Sequence, residues 1–324
     1  MKNITDEDNQ ELESILNDEI TTTETDEETA SETSEENLTR KILNTGDSLS
    51  CDELYKIMGK EKSKMVVFIG PAGSGKTTIE TSLYQMFLKA PLGDFYFAGS
   101  NTLQGYESRA FYTRLSSHGS DPKTLRTNVQ LDRPFLHLRL WNPKQDKINN
   151  FLFADLSGEA LITQIGQVEN IKKEFPFIKR ADYIIGVLDG ELLKNVAKKN
   201  VAIEQIIQLI RTIYDANLIS NGCVAKIIFS KYDELSKETN SEELIKSIKQ
   251  RMTKRLESMF KHIEYHCIAA MPKESADMEI GYGLEALLMS FVKKYPFEFK
   301  NEKIHKFRKM SEFDKLDVKL GGGE

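Results

Sequence analysis

The stretch Gly70-Pro71-Ala72-Gly73-Ser74-Gly75-Lys76-Thr77 constrains the fold more than anything else in these 324 residues. It fits G-x-x-x-x-G-K-[ST], a pattern that a chain of this composition meets by chance with a probability of roughly one or two percent. The flanks give it meaning. The apolar run KMVVFIG has strand length and ends on Gly70. From Lys76 to Ala90, Ile79, Leu83, Met86, Phe87 and Ala90 fall on one helical face, and Pro91 stops the run. A strand that enters a helix through glycines lets successive N–H groups turn toward one anion. The helix N-terminus adds its partial positive charge. The pattern therefore predicts that residues 70–78, Thr78 included, cradle a nucleoside polyphosphate. Lys76 is expected to span two phosphates and to serve catalysis, and the Thr77 hydroxyl to hold Mg²⁺.

Downstream the pattern alternates. FLHLRLW (Phe135–Trp141) and NFLFAD (Asn150–Asp155) read as strands, and the link between them is short enough to favour an antiparallel hairpin. Further strands are expected at YIIGVLD (183–189), KIIF (226–229) and YHCIAA (265–270), with helical patterns at 201–214, 241–260 and 283–295. Such alternation predicts a three-layer α/β domain. Ser50 and Glu53 have capping-box spacing, so a short helix should precede the first strand. Residues 92–134 show no clear period and read as one long connection of the kind that carries function.

Charge divides the chain into three parts. Residues 1–37 hold 14 of the 50 acidic residues and one of the 44 basic ones, so the remainder has 43 basic against 36 acidic residues. A polar acidic segment has too little to bury, so 1–47 is expected to be a disordered arm, 48–297 the folded domain and 298–324 a basic tail. The body's mild positive charge suits a polyphosphate. With no aromatic-interleaved basic stripe, no nucleic-acid partner is predicted. No apolar run reaches the roughly 18–20 residues that span a bilayer. The opening MKNITDEDNQ lacks signal-peptide character, and three cysteines without a CxxC pair fit a reducing, cytoplasmic setting. His262, His266 and Cys267 have zinc-like spacing but lack a second ligand pair, so packing is the simpler reading.

Two later motifs bear on which nucleotide is bound. Asp155-Leu-Ser-Gly158-Glu159 follows an apolar strand; there an Asp can hold Mg²⁺, and the Gly158 N–H can sense a γ-phosphate. Ser230-Lys231-Tyr232-Asp233 follows KIIF; its Asp can accept from guanine N1–H and the 2-amino group, which adenine does not offer in that geometry, and the Lys231 stem can cover the base. After the next strand, Ala269-Ala270 stands where a backbone N–H would read guanine O6, with Met271 in place of a usual lysine.

In this order, with an antiparallel strand before Asp155, the signals resemble P-loop GTPases of the translation-factor and Ras-like class over about residues 64–296. Phe97–Glu107, Phe135–Leu140 and Asp155–Glu159 resemble, more narrowly, the prokaryotic double-GTPase family. The resemblance implies a P-loop GTPase fold with a mostly parallel sheet and one antiparallel strand. It also implies GTP or GDP with Mg²⁺, a partner GTPase or effector protein, and a place in a conflict or antiphage system. A switch threonine is expected before the antiparallel strand: Thr127 by proximity, with Thr124 and Thr102 further back. Glu159 stands where many GTPases carry glutamine, so unaided turnover should be slow. Arg109, Arg114, Arg126 or Arg133, or a partner, could supply a compensating cation. The alternatives are an ATP-dependent P-loop enzyme and a non-hydrolysing GTP-binding scaffold. Oligomeric state is not legible. Deleting residues 1–37 should leave the thermal unfolding midpoint within about 1–2 °C of the full chain, measured by circular dichroism, because the segment has little to bury.

Overall fold

The computed structural model describes residues 45–111, 134–273, 278–293 and 295, and among these the elements follow from local sequence. Helix α1 (Cys51–Lys60) opens with the anticipated capping box: the Glu53 carboxylate accepts the Ser50 N–H at 2.8 Å, and the Ser50 hydroxyl accepts the Glu53 N–H at 3.4 Å. Strand β1 (Ser63–Ile69) leads into the glycine loop, and α2 (Lys76–Lys89) leaves it, ending where Ala90 turns extended before Pro91. Then come β2 (Tyr96–Gly99), α3 (Leu103–Ala110), β3 (Phe135–Asn142), β4 (Lys147–Asp155), α4 (Gly158–Thr163), α5 (Val168–Glu174) and β5 (Tyr183–Asp189). The chain continues through α6 (Gly190–Lys194), α7 (Val196–Asp215), β6 (Val224–Ser230), α8 (Tyr232–Leu235), α9 (Ser241–Leu256), β7 (Ile263–Cys267) and α10 (Leu284–Val292).

The seven strands form one sheet in the order β2-β3-β4-β1-β5-β6-β7. From β4 to β7 every pairing is parallel. Strand β3 pairs antiparallel with both β2 and β4, so it is the one strand that runs against the rest. Side-chain alternation along β1 separates two cores. Met65, Val67 and Ile69 point toward α1, α7 and α9, where Ile203, Ile206, Ile207, Ile210, Ile248 and Met252 fill the layer. Val66 and Phe68 point toward α2, α3 and α10, where Ile79, Leu83, Tyr84, Tyr106, Leu284 and Phe291 do so. Helix α7 lies close on β5 because Gly186 leaves room: a Cβ there would come within 2.8 Å of Ile206 Cγ2.

The structure corrects several boundaries. Residues 92–134 are not one structureless connection: β2 and α3 lie in it, although residues 112–133 are outside those described. Helix α7 starts five residues before the expected 201, because the Asn195 side chain caps it by accepting the N–H groups of Ala197 and Lys198 at 3.0 and 3.2 Å. Strand β7 ends at Cys267 rather than Ala270, since Ala269 leaves the sheet to bridge Tyr282. Helices α9 and α10 stop short of the expected 260 and 295. Among the described residues no helix is long and apolar enough to cross a membrane.

Candidate functional site

In a parallel sheet the loops at the carboxyl ends of the strands share one edge, and ligands bind there. The loops after β1, β4, β5, β6 and β7 converge in this way. The first is the glycine loop. Gly73 and Gly75 have φ of 75° and 91°, the left-handed region that glycine enters without cost. A Cβ on Gly70 would lie 2.9 Å from the Val187 carbonyl. Lys76 is 6% exposed and its Nζ donates to the carbonyls of Gly70 (2.9 Å) and Pro71 (3.1 Å). Burial lowers its pKa, and the nearby Asp155 and Glu80 carboxylates oppose that shift. Pro71, Ala72, Gly73 and Gly75 are open to solvent in part or in full, whereas the buried Ser74 hydroxyl has no hydrogen-bond partner among the described residues.

Strand β4 delivers Asp155 beside this loop, in register with Phe68 of β1. The carboxylate is 0% exposed; the Thr77 hydroxyl donates to it at 3.0 Å, and Arg109 Nε from α3 reaches it at 3.2 Å. Thr78 follows on the same helix turn and is half-buried. Beyond Asp155 the chain runs tight against the loop. A Cβ on Gly158 would overlap the backbone of Pro71 and Ala72 and come within 2.6 Å of the Gly70 carbonyl. Only glycine fits, which explains that residue in D-x-x-G. Glu159 is exposed in the first turn of α4, whose Ser157 cap accepts from Ala160 N–H at 3.4 Å. The Thr77 and Asp155 oxygens are the hard donors that suit Mg²⁺, an ion that takes its remaining ligands from water and phosphate. The residues present therefore fit it.

The β6 loop joins the same edge. The Ser230 hydroxyl shares its one proton between the carbonyls of Ser74 (2.7 Å) and Leu188 (3.0 Å), tying the S-K-x-D segment to the glycine loop and to β5. Lys231 adopts a left-handed conformation (φ 48°) and its Nζ meets Asp189 at 2.8 Å and Glu191 at 2.9 Å. Burial pulls the Lys231 pKa down, but the two carboxylates outweigh it and the ammonium is held above its usual value. Hydrogen bonds from Lys273 and Lys231 hold Glu191 down at about 2. Asp233 is 5% exposed and its Oδ2 accepts the Lys273 N–H at 3.1 Å. Ala269 and Ala270 are buried alongside, and the Ala269 N–H is taken by the Tyr282 carbonyl.

A family model described as Double-GTPase 2 matches residues 64–292, most of the chain and all of this edge. The chain belongs to the Double-GTPase 2 family. No curated protein matches it. Among solved structures this Double-GTPase 2 chain is similar to a bacterial selenocysteine-specific elongation factor EF-Sec (15% identity, 71% of this chain and 28% of that one, TM-score 0.36). It is similar also to the signal recognition particle receptor SRb-GTP/SRX complex from Chaetomium thermophilum (16% identity, 72% and 98%, TM-score 0.39). A third is the S. cerevisiae Ski7 GTPase-like domain, bound to GTP (14% identity, 75% and 52%, TM-score 0.42). The chain thus spans less than a third of the elongation factor and about half of the Ski7 chain.

Of the sequence-predicted site, residues 70–78, Asp155, Gly158, Ser230, Lys231, Asp233, Ala269 and Ala270 come together on this edge. Thr127 and Thr124 lie outside the described residues, as do Arg114, Arg126 and Arg133. Thr102 is committed elsewhere, its hydroxyl accepting the His137 N–H at 2.8 Å. Sequence reasoning named Arg109 as one of four arginines but could not single it out, and it missed Glu80, Asp189 and Glu191. A Glu inside an amphipathic helix gives no sign that it is buried. Replacing Ser230 with Ala should lower stability by about 1–3 kcal/mol in urea unfolding, because the Ser74 and Leu188 carbonyls lose the donor they share.

Proposed function

We propose that this protein is a Mg²⁺-dependent GTP-binding switch that hydrolyses GTP slowly by itself. The observation that carries the reading is the Ser230 hydroxyl bridging the glycine loop to the S-K-x-D segment, which sets the phosphate-binding and base-reading elements side by side. In this reading the backbone amides of residues 70–78 hold the phosphates, and Lys76 turns from the Gly70 and Pro71 carbonyls to the β- and γ-phosphates. Thr77 and Asp155 hold Mg²⁺, which when bound neutralises phosphate charge. Thr127 remains the proposed switch threonine. Gly158 lies where its amide senses the γ-phosphate, so its segment is the element that hydrolysis releases.

Guanine recognition falls to Asp233, with Lys231 held rigidly over the base by Asp189 and Glu191 and with the Ala270 amide facing O6. Glu159 supplies a negative charge where glutamine would orient water, so turnover waits on a cation from within or from a partner. A partner GTPase or effector and a role in a prokaryotic conflict or antiphage system are what the family resemblance implies, and three cysteines without a CxxC pair favour a cytoplasmic setting. Glu159, standing where many GTPases carry glutamine, keeps a non-hydrolysing scaffold as the second reading.

Binding of fluorescent GTP and ATP analogues tests the first reading. Lys76→Ala should abolish binding, and Asp233→Asn should cost on the order of 10⁴-fold in guanine preference and admit xanthine. Wild type that binds ATP as well as GTP would sink the guanine assignment. Phosphate release tests the chemistry. Glu159→Gln should match or exceed wild-type turnover, and wild-type turnover should rise with protein concentration or with a partner. Fast, concentration-independent turnover that the substitution abolishes would instead make Glu159 the catalytic base.

A further inference from the structure

Behind Asp155, at the interface of α2 and α3, lies a buried polar cluster that nucleotide chemistry does not account for. Glu80, one turn along α2 from Lys76, is 1% exposed, and neither of its carboxylate oxygens has a hydrogen-bond partner among the described residues. The phenol of Tyr106 on α3, 0% exposed, is likewise without one. The two helices are joined around them: the rings of Tyr84 and Tyr106 stack at 4.7 Å, and the Tyr84 hydroxyl donates to Glu107 at 2.9 Å. An acid this deeply buried without a donor is costly, and proteins keep such groups for a reason.

Arg109 stands one turn beyond Tyr106 on α3. Its Nε donates to Asp155 at 3.2 Å and its Nη1 to the Gly105 carbonyl at 3.0 Å, with the side chain 11% exposed. The guanidinium therefore already occupies an oxygen of the carboxylate assigned to the metal. A divalent cation drawn to Asp155 meets a like charge there. Lys76, itself a cation and assigned to the phosphates, offers a displaced guanidinium no acceptor. Glu80 is the other acid in this buried cluster: burial, and then the Asp155 charge, push its pKa well above the usual carboxylate range, and the charge of Arg109 opposes that shift.

We propose that Glu80 is a positioning residue that receives Arg109 when a divalent cation claims Asp155, so that the guanidinium exchanges one buried carboxyl group for the other. This rests on the Mg²⁺-nucleotide reading given above. Because Arg109 is part of α3, the exchange links metal occupancy to the helix at Leu103–Ala110. The device needs both partners. With no Glu80 the guanidinium has no second seat and competes with the cation, and with no Arg109 there is nothing to displace.

A double-mutant cycle on the full-length chain reads this directly. The measured quantity is the free Mg²⁺ required to half-saturate the Mg²⁺-dependent retention of a fluorescent GDP analogue, with affinity in EDTA showing that each variant's site is folded. Glu80→Gln should raise the Mg²⁺ requirement about fivefold or more, the lower end of ordinary site-to-site coupling. Arg109→Gln should lower it. In the Arg109→Gln background, Glu80→Gln should change it by less than about twofold. Equal effects of Glu80→Gln in both backgrounds, or none in either, overturn the proposal. If Glu80→Gln does not fold, an unchanged Mg²⁺ requirement in Arg109→Gln overturns it alone. Wild type whose GDP retention ignores Mg²⁺ would refute the metal reading and this exchange with it, whereas Mg²⁺-dependent wild type with indifferent variants refutes only the exchange.

Discussion

A carboxylate with no solvent exposure must be met by donors and cations, because an isolated buried charge is too costly to keep. Asp155 is such a group, and much of the site is arranged around it. The Thr77 hydroxyl fixes the glycine loop to the end of β4, and Arg109 fixes α3 to the same point. Strand β1 makes this possible by lying between β4 and β5 in parallel register. Its loop is thereby brought level with Asp155 on one side and with Val187 and Leu188 on the other. The sheet order is thus a condition for the chemistry as well as for the core, since a different neighbour for β1 would separate hydroxyl from carboxylate.

What could be read from the sequence was what is contiguous. The glycine loop, D-x-x-G and S-K-x-D each carry their meaning in adjacent residues, and each follows a strand whose apolar run is evident. The antiparallel hairpin was legible from the short link between β3 and β4, and the fold class followed from the alternation of strands and helices. Strand β2 was not: YFAG is four residues long at the sheet edge, with a register shift between Phe97 and Gly99, so it shows neither alternation nor an apolar run.

The pairings that complete the site join residues far apart in the chain. Arg109 and Asp155 are 46 positions apart, and Lys231 and Asp189 are 42 apart. No local pattern distinguishes these side chains from solvated charges. Glu80 is more opaque still, because an acid on an amphipathic helix ordinarily marks the wet face. Only the packing of α3 over α2 reverses that expectation. The Ala269 amide illustrates a further case, since no local pattern announces that its N–H is taken by the Tyr282 carbonyl.

The Ser230 hydroxyl has a geometric consequence. By bonding the Ser74 carbonyl in the glycine loop and the Leu188 carbonyl at the end of β5, it fixes the separation between the segment proposed to read the base and the segment proposed to grip the phosphates. One proton shared between two carbonyl oxygens at 2.7 and 3.0 Å leaves little play. On the proposed reading the edge acts as a ruler: it accepts a ligand whose base and phosphates lie one ribose apart. A molecule with the right base on a longer or shorter tether would satisfy one end of the ruler and miss the other.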